Sequence, residues 1–390
     1  MSHYKPYPAY KDSGVEWIGR VPEHWGVKAF KRLASIRNGQ DYKDVADPGG
    51  AYPVIGSGGE FARASSFMFD GESVLLGRKG TIDKPLYING PFWTVDTMFY
   101  TTIANDAFPR FVYYSALTIP FGLYSTNTAL PSMTGEDISS HVIAAPEFVE
   151  QKAIARVLDR ETSRIDALIT KKTRFIELLK EKIVALASQP ADSPNLKWVR
   201  LSHVCEVISR PVLQKAGSSY TKLGLFNRGR GIFKRDETDT EDMGDSEFFW
   251  VQPGDLVISG QFAWEGAVAL ANENHAGCVV SHRFPVIRGR KNGVLTEYLL
   301  AYFWTIHGDF VLNDCSRGSA GRNRPLNMNL LLGWKIPVPS MQIQREVARL
   351  VQLERQIGER VNKSIALLRE RRSTFITAAV TGQIDLRDEA

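Results

Sequence analysis

The chain is poor in cysteine. Its 390 residues include three, Cys205, Cys278 and Cys315, far apart and without a C-x-x-C spacing. That pattern excludes a disulfide framework and a zinc site of paired cysteines, and it suits a reducing compartment. Long apolar runs are missing too. No stretch approaches the roughly 20 residues that span a bilayer, and the opening "MSHYKPYPAYKDSGVEWIG" has no apolar core of a secretory signal. A cytoplasmic location with no membrane role is expected. Charge of one sign is equally scarce: 48 basic against 43 acidic residues leave +5, which permits a polyanionic partner without demanding one. Signatures of chemistry are absent as well: no G-x-x-x-x-G-K-[ST] loop, no H-E-x-x-H helix and no glycine-rich dinucleotide turn after a strand. The seven histidines are scattered, and His275 near "SHRF" at Ser281 lacks a ligand spacing, so no metal site and no catalytic residue is expected.

What is present is a repeat. An apolar fraction of 43% and a charged fraction of 23% are ordinary for a folded protein, and the length allows two or three domains. Residues 143–156 read "IAAPEFVEQKAIAR" and residues 336–349 read "IPVPSMQIQREVAR"; Ile, Pro, Gln, Ala and Arg coincide in register. A period must be explained before any local motif. Each copy opens a long helical pattern. Leu158, Ile165, Ile169, Ile176, Leu179, Ile183 and Leu186 fall at steps of three and four, with Thr162 and Lys172 in the stripe. Leu350, Ile357, Val361, Leu368 and Phe375 do the same, with Ser364, Arg371 and Ala378 at the weaker positions. Charged runs such as "KKTRFIELLKEK" surround both seams. The natural cover for either helix is the other. Pro146 and Pro339 fix the helix entries. Phe175, Leu178, Leu367 and Ile376 lie beside the seam, where a partner chain could cover them.

The stretches before each helix also correspond, weakly. "WGVKAFKRLASI" from Trp25 answers "WVRLSHVCEVI" from Trp198, and "GESVLLG" from Gly71 answers "GDLVISG" from Gly254. Tyr113 and Tyr114 precede the first helix as Tyr302 and Phe303 precede the second. Short apolar runs alternate with Gly-, Asn- and Asp-rich turns, the texture of small sheets. The expected class is α+β: two globular modules, each followed by a long helix, the helices pairing as an antiparallel coiled coil. The expected boundaries are an N-terminal segment 1–25, a first module 26–145, a helix 146–189, a second module 190–338, and a second helix with its tail 339–390.

This plan resembles the specificity subunit of a Type I restriction-modification system. The residues that carry the resemblance are "YKDSGVEWIGRVPEHW" (10–25), "EQKAIARVLDRETSRID" (150–166), "IPVPSMQIQREVAR" and "TAAVTGQIDLRD" (377–388). They span nearly the whole chain in the right order. The resemblance implies two target recognition domains, each reading half of a split double-stranded DNA sequence. It implies a helical pair that sets the spacing and docks two methyltransferase (modification) subunits, joined by nuclease-translocase (restriction) subunits. It further implies no cofactor on this chain, S-adenosylmethionine on the methyltransferase, and ATP and Mg on the nuclease-translocase. No N-P-P-[YF] or D-P-P-[YF] tetrapeptide of an adenine methyltransferase occurs here, so methylation belongs to the partner. About 35 helical residues span roughly 50 Å, which leaves a gap of unread base pairs between two dissimilar halves. The alternatives are a recognition subunit for a fused methyltransferase-nuclease partner and a non-enzymatic coiled-coil adaptor.

Candidate DNA contacts follow from basic and amide residues in turns. In the first module "GRKGTIDKPLY" offers Arg78, Lys79 and Lys84, and "YSTNTALPSM" offers Thr126 and Asn127. In the second, "FNRGRGIFKR" supplies Arg228, Arg230, Lys234 and Arg235, followed by an acidic run that faces away from DNA. "SGQFAWEG" places Gln261 in the position of the Arg78 turn. "CSRGSAGRNRPLNMN" holds the densest set, Arg317, Arg322, Asn323, Arg324 and Asn327. Arginine pairs with guanine and asparagine with adenine in bidentate geometry, although most such residues position the protein on phosphate rather than read bases.

Overall fold

A computed structural model describes residues 4–126, 131–188, 196–244, 246–291, 293–318 and 324–389. The chain divides into two compact units, residues 1–170 with 364–390, and residues 171–363. Two long helices, Phe148–Ser188 and Met341–Val380, have 41 and 40 residues, longer than the 35 expected. Each gives one half to each unit.

In the first unit a six-stranded sheet runs in the order Ala34–Asn38, Met98–Ile103, Phe69–Gly77, Leu86–Thr94, Tyr52–Gly56, Gly59–Ala64. The helix Pro109–Ala116 follows, then a two-stranded ribbon of Gly26–Ala29 and Val142–Ala145. The second unit has two four-stranded sheets. One runs Cys205–Val207, Val286–Gly289, Leu256–Ile258, Val268–Leu270; the other runs Ile232–Asp239, Ser219–Leu225, Val279–Ser281, Phe248–Trp250. The helix Thr296–Phe303 and the ribbon of Lys197–Arg200 with Lys335–Val338 complete it. The mixed class read from the sequence is the class found.

The repeat builds one device twice. Gln151 is 1% exposed; its Oε1 accepts from Phe108 N at 2.8 Å and its Nε2 donates to Pro146 O at 2.9 Å. Gln344 is equally buried; its Oε1 accepts from Leu295 N at 2.9 Å and its Nε2 donates to Pro339 O at 3.0 Å. Phe108 and Leu295 are the N-cap residues of the helices at 109–116 and 296–303, and neither cap has a side-chain hydrogen bond. Each glutamine therefore satisfies one orphan backbone donor of that helix. It also holds the carbonyl of the proline from which the long helix departs.

The helix halves run antiparallel within each unit. In the first, Ile154 to Leu158 share a core with Phe375 to Val380, and farther along Asp166 pairs with Arg372 at 3.0 Å. In the second, Lys180 pairs with Glu354 at 3.6 Å, and Ile183 and Ala187 share a core with Val347 and Val351. The buried line of the second helix passes through Val347, Val351, Glu354, Gly358 and Ile365, one residue off the expected Leu350, Ile357 and Ser364. The helix packs on module side chains such as Tyr298 and Leu331 as well as on its mate, so its apolar stripe is wider than a two-helix seam.

The N-terminal segment completes the first unit. Tyr7, Ile18, Val21 and Trp25 bury against Phe375, Ile376, Ala379 and Ile384. Tyr7 donates to Glu150 at 2.9 Å, His24 meets the same carboxylate at 2.9 Å, and Asp385 N donates to Lys5 O at 2.8 Å. Gly382 has φ +74, and a Cβ there would lie 2.3 Å from Pro22, so "TGQ" needs its glycine for both reasons. Arg110 stacks on Tyr87 at 4.5 Å and its Nε donates to Asp159 at 2.9 Å, tying the module to the helix. The three cysteines are free and buried, and burial pushes Cys205 and Cys315 up to about 11.

His141 is 3% exposed. Its Nδ1 lies 2.7 Å from Tyr124 Oη, its ring stacks on Trp17 at 4.6 Å, and its Nε2 has no partner among the described residues. Burial holds its pKa down at about 4.

Two outcomes follow. Gln151→Ala and Gln344→Ala each strand a buried donor and a buried acceptor, and each should cost about 2–4 kcal/mol in denaturant midpoints, whereas exposed Gln356→Ala should change little. Between pH 6.5 and 4 the unfolded chain takes a proton at His141 that the folded chain refuses. Stability therefore falls with pH across that window, by on the order of 3 kcal/mol in full. His141→Phe should flatten that limb in urea midpoints taken at pH 4.5 and 7.

Candidate nucleic-acid interface

In the first unit the strand Phe69–Gly77 delivers the turn that carries Arg78, Lys79 and Lys84. A Cβ on Gly77 would sit 2.2 Å from Thr81 O, so only glycine lets the turn fold back so closely. Met133 N donates to Arg78 O at 3.0 Å, Gly80 N donates to Pro131 O at 2.9 Å, and Lys79 bridges Ser132. Thr126 N donates to Ser132 O at 3.1 Å. The Arg78 turn and the Thr126 loop are thus one surface. Arg78 is partly spent on the fold: it donates to Asp96 O at 3.3 Å and lies 5.8 Å from the Phe99 ring centre. Lys79 and Lys84 are exposed, and neither forms an ion pair among the described residues. Asn127 lies outside those residues.

The second unit gathers three predicted segments. Leu326 N donates to Gly260 O at 2.8 Å, joining the Gln261 turn to the 313–327 segment just as Met133 joins the Arg78 turn. Arg228 N donates to Glu265 O and Gly229 N to Gly266 O, both at 2.8 Å, docking the "FNRGRG" turn on the same loop. Arg228 takes φ 58, and Gly229 fits because a Cβ would meet the Trp304 indole at 2.6 Å. Gln261, Arg228 and Arg230 are exposed. Arg230 donates to Asn227 O at 3.0 Å and packs on Phe226 at 5.3 Å. Lys234, four residues farther on, lines a cavity of about 670 Å³ with Arg230, Lys180, Arg355 and Glu354.

Two expected contacts also serve the fold, and one expectation, Ile376, needs correction. Arg324 braces its own segment: it donates to Ser316 O at 3.0 Å and Asn313 O at 3.3 Å and stacks on Trp264 at 4.9 Å. Asn327 caps the helix Met328–Gly333, its Oδ1 accepting from Leu330 N at 3.1 Å, which is the ordinary work of asparagine before a helix. Ile376 is 2% exposed, because the chain's own N-terminal segment covers that flank of the helix. Phe175 and Leu178 in one unit and Leu367 in the other are 49%, 49% and 65% exposed. Arg317 pairs with Asp314 at 2.8 Å yet is 71% exposed, so the pair is weak and can open toward a phosphate. Arg322 and Asn323 lie outside the described residues. Arg235 stood in the basic "FNRGRGIFKR" run, whereas Lys222 and Arg283 were not among the candidates. Period-two alternation through "IFKRD" marks Arg235 on a strand face; nothing local marks the other two.

Residues 22–178 match the family described as the Type I restriction modification DNA specificity domain. Over that span, less than half of its length, the chain is similar to this specificity domain. The resemblance read from the sequence is borne out, and the fold agrees over both units. The chain superposes with TM-score 0.53 on the S subunit of a Type I restriction-modification system from M. genitalium, at 16% identity, covering 91% of this chain and 96% of that one. A chain from a structure of complex assembly and conformational transition of the type I restriction-modification system gives TM-score 0.55 at 16% identity, with 93% and 99% covered. No curated protein matches the sequence. No helix among the described residues is long and apolar enough to cross a membrane.

These environments separate fold from contact. Arg324→Ala should cost about 1–3 kcal/mol of stability, read as a lower melting temperature. Lys79→Ala should leave melting unchanged, weaken all DNA sequences alike, and reduce the salt slope of binding by about 0.9.

Proposed function

We propose that this chain is the DNA-recognition subunit of a Type I restriction-modification complex and reads a bipartite, asymmetric target in double-stranded DNA. The observation that carries the reading is the pairing of two unlike modules with one repeated clamp. Met133 N to Arg78 O and Leu326 N to Gly260 O place corresponding loops on two different sheets. Like anchors with unlike readers suit a target of two dissimilar halves. The long helices, about 60 Å each at 1.5 Å per residue, set the gap between those halves. The exposed Phe175, Leu178 and Leu367 serve to dock methyltransferase subunits. Those partners bring S-adenosylmethionine, and nuclease-translocase subunits bring ATP and Mg; this chain does no chemistry and works in the cytoplasm. A fused methyltransferase-nuclease partner would use the same chain in the same way.

The paired strands Gly26–Ala29 and Val142–Ala145 bracket the first reader, so residues 30–141 are the segment to exchange with that of a relative. Co-expressed with the methyltransferase, the chimera should modify adenines in a target with one half changed and the other kept, read by sequencing modified bases genome-wide. Modification of a target changed in both halves, or of no defined sequence by the unaltered chain, contradicts the reading.

A further inference from the structure

The second unit holds a cleft that none of the loop candidates fills. It has a volume of about 240 Å³ and lies on one face of the sheet that contains Ser219–Leu225 and Ile232–Asp239. Lys222, Arg235 and Arg283 line it, and no carboxylate does. None of the three cations forms an ion pair among the described residues. Such a set accumulates repulsion and gains most when an anion arrives.

The floor is aromatic. Phe233 lies across the neighbouring strand because Gly224, its cross-strand partner, has no side chain: a Cβ there would meet the ring at 2.3 Å. Phe233 remains half-buried. Phe262 stands 37% exposed in the same lining, and Phe248, beneath Lys222 at 6.0 Å, closes the base. Gln261, on the turn already assigned to the interface, also lines it. A surface built for phosphate alone needs cations on a wet, polar face. Flat rings left open beside them suit a ligand with an apolar, planar part joined to an anion. Aromatic platforms flanked by basic residues are how proteins take unstacked bases and their backbone, and a cleft smaller than a drug-sized pocket suits one base rather than a larger cofactor.

We propose that this sheet face seats a single unstacked nucleotide of the DNA, its base on Phe233 and Phe262 and its phosphates on Lys222, Arg235 and Arg283. The proposal rests on the DNA-recognition reading and adds a contact that duplex groove-reading does not require.

The test uses the full chain, an eight-residue oligothymidylate, and an abasic oligonucleotide of the same length and charge. The thymidylate should bind about 5- to 100-fold tighter than the abasic strand. Phe233→Leu keeps an apolar filler but removes the flat ring; it should abolish that preference while leaving abasic affinity unchanged. Arg235→Gln should weaken both strands and lower the salt slope by about 0.7. Equal affinity for the two strands in the unaltered chain, or a preference that survives Phe233→Leu in a variant with unchanged melting, overturns the proposal. The two readings fail separately. Defined target modification without base preference sinks the seat alone; base preference without defined modification sinks the recognition reading and leaves the seat standing.

Discussion

A buried primary amide at the start of each long helix is the constraint on which the rest depends. Gln151 and Gln344 each bridge a backbone N–H at the cap of a module helix and the carbonyl of the proline that launches the long helix. Either group left unpaired in the interior would cost about 1–3 kcal/mol, so the amide fixes both segments together or neither. Module and helix then move as one body. A reader attached to its scaffold through a flexible joint could not hold a register on DNA.

Around that shared joint the two units diverge. One carries a six-stranded sheet, the other two four-stranded sheets, yet both bring a loop after a buried strand against a loop before a short capped helix. The cap is Thr134 in one and Asn327 in the other. A common frame with unlike sheets is what the proposed pair of independent readers requires. The N-terminal segment belongs to the frame, since it packs with the C-terminal tail at the far end of the second helix.

How much of this was legible follows from how local each signal is. The prolines, the glutamines and the heptads are spaced along the chain, so the repeat, the helices and the mixed class could be read directly. Ile376 could not, because its cover comes from residues more than 300 positions away in the chain, around Tyr7 and Trp25. Arg324 and Asn327 sit in a segment dense with arginine and asparagine, and composition cannot tell a base reader from a strut or a cap. Trp264 and the helix at 328–333 decide those roles. The Lys222, Arg235 and Arg283 group draws on three separate segments that the strand order alone brings together, and Arg283 stood in "SHRF", a segment weighed for metal rather than for charge.

The central claim, that one amide locks each module to its helix, is tested most directly by native-state hydrogen exchange at two backbone amides. Phe108 and Leu295 precede their helices at cap positions, where amides ordinarily exchange early. The account predicts that both are protected as strongly as the sheet cores of their own units, and that Gln151→Ala releases Phe108 while leaving Leu295 protected. Exchange of both amides at loop rates in the unaltered chain would contradict it.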